Sequence, residues 1–110
     1  MKPIMKDDNG KIVESPIVKT KKPRKFVAYC DPGHGWAKVP RTLLEKLGIA
    51  DKISSCSYER GDSVYLEEDC DAETFCIAME RNNIPYQITS KHTNKQSKIR
   101  SYYCYSFKEV

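Results

Sequence analysis

A chain of 110 residues with 39% hydrophobic and 31% charged side chains has room for one domain with one modest core and excludes wholesale disorder. No apolar run nears the ~20 residues of a membrane-spanning helix, and residues 1–25 lack the apolar stretch of a secretory signal, so a cytoplasmic protein without membrane contact is expected. The net charge of +4 is unevenly held: eight Lys/Arg oppose three acids over residues 1–25, and eleven oppose twelve over residues 26–110.

Residues 1–25 contain Pro3, Pro16 and Pro23 and the basic run that includes Lys21, Lys22, Arg24 and Lys25. Proline removes backbone donors and like charges repel, so a flexible basic leader is expected here, and a single domain over residues 26–110. The run Phe26–Cys30 reads as a strand stopped by Asp31-Pro32-Gly33, where Pro-Gly suits a type II turn with positive φ at Gly33. Trp36 to Val39 resumes an extended path. Pro40 opens a helix over residues 41–47 with Leu43, Leu44 and Leu47 on one face, and Gly48 is its left-handed cap.

Two strands, Lys52–Tyr58 and Ser63–Glu68, form a hairpin about Glu59-Arg60-Gly61-Asp62. A second helix follows, with Asp71 as its N-cap and Ala72, Phe75, Cys76 and Met79 at i, i+3, i+4 and i+7. Asn82-Asn83 ends it. Tyr86–Lys91 and Ile99–Phe107 are the last strands, and the latter carries tyrosines on both faces. The element order is β-α-β-β-α-β-β. The expected fold is α+β, an antiparallel sheet with two helices on one face, related to the ferredoxin-like split βαβ arrangement.

The five cysteines are odd in number and none forms a Cys-x-x-Cys pair. That argues against a disulfide framework and a structural zinc site, so no metal or other cofactor is expected. The strand followed by Asp31-Pro32-Gly33-His34-Gly35 nevertheless resembles the start of the zinc-dependent N-acetylmuramoyl-L-alanine amidases. That resemblance implies His34, Glu45 and His92 as zinc ligands. The residues after Gly35 leave the family pattern, and 85 residues are about half of what that fold requires.

The segment from residue 36 to 66, with Lys38-Val39-Pro40-Arg41 and Leu47-Gly48-Ile49, resembles the swapped-hairpin transition-state regulators. This implies an intertwined dimer that binds DNA through Lys38, Arg41, Lys46 and Lys52, helped by Lys21, Lys22, Arg24 and Lys25 of the leader. Seven acids between Glu59 and Glu73 would repel DNA if they shared that face. The element order is also that of the RNA-recognition fold, but Asp62 and Ser63 stand where stacking aromatics are needed.

Across its length, from Asp31-Pro32-Gly33-His34-Gly35-Trp36 through Tyr65-Leu66-Glu67-Glu68-Asp69 to Ile99-Arg100-Ser101-Tyr102, the domain resembles a group of small bacteriophage and mobile-element proteins. The resemblance implies an accessory protein that acts on host machinery, including host defence systems. The leading expectation is a non-enzymatic binding protein for a host protein or protein–nucleic-acid complex, with a homodimer allowed. Its contacts are expected at Asp31, His34, Trp36, Arg60, Glu67, Glu68, Asp69, Tyr102 and Tyr103, since tyrosine pairs apolar area with a polar tip.

Overall fold

The computed structural model describes residues 22–107; Lys21 and the leader before it lie outside them. Six strands and two helices make an α+β domain: β1 (Arg24–Cys30), β2 (Gly35–Pro40), α1 (Arg41–Lys46), β3 (Tyr58–Arg60), β4 (Ser63–Glu67), α2 (Asp71–Arg81), β5 (Tyr86–His92) and β6 (Tyr103–Cys104). They form one sheet in the order β5-β1-β2-β4-β3-β6. Among the described residues only β1 and β5 run parallel; every other pairing is antiparallel. No helix of the described residues is long and apolar enough to cross a membrane.

The element order differs from the expected one by a strand. Residues 35–40 pair with β1 in the register Tyr29↔Trp36 and with β4 in the register Trp36↔Glu67, so the chain makes a hairpin before α1. That strand pairs β1 with β2, where the expected order runs from the first strand straight into a helix. β1 also begins at Arg24, so Arg24 and Lys25 belong to the sheet and not to the leader.

Alternation along the strands separates two buried clusters. Phe26, Ala37, Val39, Val64 and Leu66 join Leu43 and Leu44 of α1 and Phe75, Ala78 and Met79 of α2 in the main core. Trp36, Tyr65 and Ile99 form a smaller cluster, bordered by Tyr29, Tyr58 and Tyr102. Both helices end as their sequences dictate. Gly48 takes φ +73° after α1 and Asn83 takes φ 56° after α2, and each end closes with the paired backbone bonds of a left-handed cap.

Three local expectations are corrected. Asp71 does not cap its own helix; its buried carboxylate accepts from Ser54 N (3.1 Å), Ser54 Oγ (2.8 Å) and Ser57 Oγ (2.5 Å). Ser57 Oγ in turn accepts from Glu67 N at 3.0 Å. Residues 53–57 therefore wrap around Asp71, and the strand expected over 52–58 shrinks to Tyr58–Arg60 with a single 3-10 turn at Ala50–Lys52.

The strand expected over 99–107 is likewise a 3-10 turn, Lys98–Ser101, followed by the two-residue β6. Ile99 packs on Trp36 and Tyr65, whereas Tyr105 enters the main core, so one extended face cannot hold both. The buried Tyr105 hydroxyl donates to Ala50 O at 2.6 Å. Tyr105→Phe leaves that carbonyl unpaired and is expected to cost about 1–3 kcal/mol, read as a lower urea midpoint at unchanged slope.

Candidate functional site: the clefts around the Asp31–Trp36 turn

Asp31 organises the turn that precedes β2. Its carboxylate accepts from Gly33 N and His34 N, both at 3.0 Å, and Asp31 N donates to His34 O at 2.9 Å. Gly33 has no positive φ, so the expected type II turn is absent; the aspartate side chain shapes the turn instead. The same carboxylate reaches across the sheet to Arg100 Nε (2.7 Å), Arg100 Nη2 (3.0 Å) and Ser97 N (2.9 Å). The Arg100 guanidinium holds its pKa well below the usual carboxylate range, helped by the backbone N–H groups.

The two glycines serve close approach. A Cβ on Gly33 would lie 3.0 Å from Arg100 Nη2, and one on Gly35 would lie 2.9 Å from Glu68 Oε1 and 3.1 Å from Cys30 Sγ. Arg100 continues over the Trp36 ring, 5.2 Å from its centroid. The turn at Lys98–Ser101 is thus clamped over the sheet, Ser97 capping it through Ile99 N at 3.2 Å, and a cleft opens on either side.

The first cleft, of about 410 Å³, is lined by His34, Trp36, Cys56, Tyr58, Glu67, Asp69, Cys70 and Arg100. His34 Nδ1 lies 3.1 Å from Glu67 Oε2, and Glu67 Oε1 accepts from Asp69 N at 2.9 Å. Cys56 and Glu67 beside the Cys70 thiol push its pKa up to about 11, so it stays a thiol at neutral pH rather than a nucleophilic thiolate. Trp36 is 2% exposed, and its Nε1 has no hydrogen-bond partner among the described residues.

The second cleft, of about 320 Å³, is lined by Tyr29, Lys38, Arg60, Tyr65, Lys98 and Tyr102 among others. Tyr102 lies against Tyr65 with ring centroids 5.2 Å apart. Arg60 sits over Tyr102 at 5.2 Å and donates to its hydroxyl at 3.3 Å.

The structure therefore brings Asp31, His34, Trp36, Glu67 and Asp69 together, with the exposed Glu68 against Gly35, and brings Arg60 to Tyr102 in the neighbouring cleft. Tyr103 stands apart, 82% exposed on the edge strand β6. The basic set is dispersed. Lys38 lines the second cleft, while Arg41 is held at 3.1 Å by Glu59 and at 2.9 Å by Gly61 O. Lys46 ends α1, Lys52 sits on a 3-10 turn, and Arg24 and Lys25 open β1.

The ligand set implied by the amidase resemblance is not assembled. Among the described residues the group with donor atoms in metal range is His34, Glu67 and Asp69; Glu45 is on the exposed side of α1 and His92 ends β5 opposite Cys30. Sequence reasoning missed Arg100, 69 residues from Asp31, and the thiols at Cys56 and Cys70. No local pattern announces a partner at that separation. No family model matches the chain, and neither a curated protein nor a solved structure does.

Proposed function

We propose that this chain is a small non-enzymatic binding protein, encoded by a phage or mobile element, that engages and modulates a host macromolecule. The observation that carries the reading is Arg60. Its exposed guanidinium rests on Tyr102 and has no carboxylate partner among the described residues. Arginine and tyrosine are the residue types that dominate binding energy at protein interfaces, and an aromatic platform pre-orders the long arginine chain before a partner arrives. Lys38 and Lys98 add positive charge to the same cleft, which suits an acidic surface on the partner.

The fold reading behind this is that both helices cover one face of the sheet, supported by the shared core of α1 and α2. The opposite face, with its tyrosines and cations, is then the face offered to the partner.

The test is affinity capture from host lysate with full-length protein, Arg60→Ala and Tyr102→Ala. A specific partner is expected that each variant binds at least about 30-fold more weakly, the equivalent of a ~2 kcal/mol hot spot. Equal capture by wild type and both variants overturns the reading. Salt-dependent duplex DNA binding that survives deletion of residues 1–21 would favour a DNA-binding regulator instead.

A further inference from the structure

We propose that the first cleft is a site for one divalent transition-metal ion of the zinc class, held by His34, Glu67 and Asp69. This goes beyond the partner-binding reading and does not depend on it. It also departs from the expectation set by cysteine spacing, because the ligands come from a turn and a strand end and not from paired cysteines.

The three side chains offer one imidazole nitrogen and two carboxylate oxygens, all within 4.8 Å of one another. Bonds of about 2.0–2.2 Å in tetrahedral geometry place ligand atoms roughly 3.4 Å apart; His34 Nδ1 and Glu67 Oε2 are already 3.1 Å apart, and no pair of donors is wider than 4.8 Å. His34 and Asp69 are exposed and free to adjust to the ion. Glu67 is the fixed member: it is 8% exposed, and its backbone N–H is anchored on Ser57 Oγ at 3.0 Å.

The backbone of His34 is fixed as well, through both of its polar groups to Asp31. An imidazole in the ligand set favours zinc over magnesium and calcium, which take oxygen ligands.

The second observation is the indole of Trp36. It lines the same cleft, is 2% exposed, and keeps an N–H without an acceptor. A buried donor without a lone pair to meet is costly. Three protein ligands leave the ion a fourth position for water or another oxygen ligand, and the unpaired indole N–H is a donor in the wall of the same cleft.

The experiment is titration of the full-length, EDTA-treated protein with ZnCl2, read by calorimetry and by the emission of Trp36, the single tryptophan of the chain. One equivalent is expected to bind, with a change in Trp36 emission and a rise in Tm; MgCl2 at the same concentration is expected to do neither. His34→Ala and Asp69→Asn, both at exposed positions, are expected to keep the metal-free Tm and to weaken zinc binding by about 100-fold or more, at least the loss typical of outer-shell partners. His92→Ala, at the other imidazole of the chain, is expected to bind like wild type. Failure of the wild type to bind one equivalent, or wild-type affinity in either His34→Ala or Asp69→Asn, overturns the proposal.

Discussion

Asp31→Ala is expected to lower Tm by about 10 °C or more, the largest effect of any polar substitution in this domain. The side chain is 1% exposed, and its carboxylate accepts five hydrogen bonds, two from the turn, two from Arg100 and one from Ser97 N. Removing it frees the Asp31–His34 turn and leaves the Arg100 guanidinium over Trp36 without its counter-charge. The Lys98–Ser101 turn then loses its clamp, so both clefts are expected to lose their shape together.

Asp31→Asn separates charge from packing through pH. The acidity of Asp31 is raised in the fold, with its folded pKa far below the ordinary carboxylate value of about 4. Its stabilisation is therefore full above that unfolded value and drains away as pH falls below it toward the folded value. Wild type should lose stability on acidification through this window, and Asp31→Asn should show a shallower acid limb from a lower starting point. Parallel limbs in urea melts at several pH values would show that the Arg100 pair does not carry this charge.

Trp36→Ala is expected to cost about 3–5 kcal/mol, the range for emptying a buried aromatic site. The ring is enclosed by Tyr58 at 6.1 Å, by Arg100 at 5.2 Å and by the side chains of Tyr65 and Ile99. Trp36→Phe keeps an aromatic ring and removes an N–H that has no partner, so its loss should be clearly smaller. Chemical denaturation of both variants in EDTA makes the comparison. An equal loss in Trp36→Phe would mean that the indole N–H finds an acceptor within the metal-free protein.

Much of the fold was legible because its signals are local. Leu43, Leu44 and Gly48 describe α1 and its end; Phe75, Met79 and Asn83 do the same for α2. Helical periodicity and left-handed caps need nothing beyond a few neighbouring residues. The hairpin about Gly61 follows from the same kind of rule, with φ +60° at that glycine. The misreadings share a cause. Lys52–Tyr58 and Ile99–Phe107 read as strands, yet both are bent by side chains distant in sequence, Asp71 at one and Asp31 at the other.

The turn from Asp31 to Trp36 divides along the same line. The sequence by itself determined that a strand stops there and that His34 and Trp36 stand next to it, because Asp, Pro and Gly interrupt a β-prone run through backbone chemistry alone. What those residues meet was decided by tertiary structure. Gly33 is needed for the closeness of Arg100 and not for a left-handed φ. His34 faces Glu67, 33 residues on, because β2 and β4 pair in the register Trp36↔Glu67. A register shift of one residue would send Glu67 to the other side of the sheet. The cleft is therefore a consequence of strand pairing, which local sequence patterns do not encode.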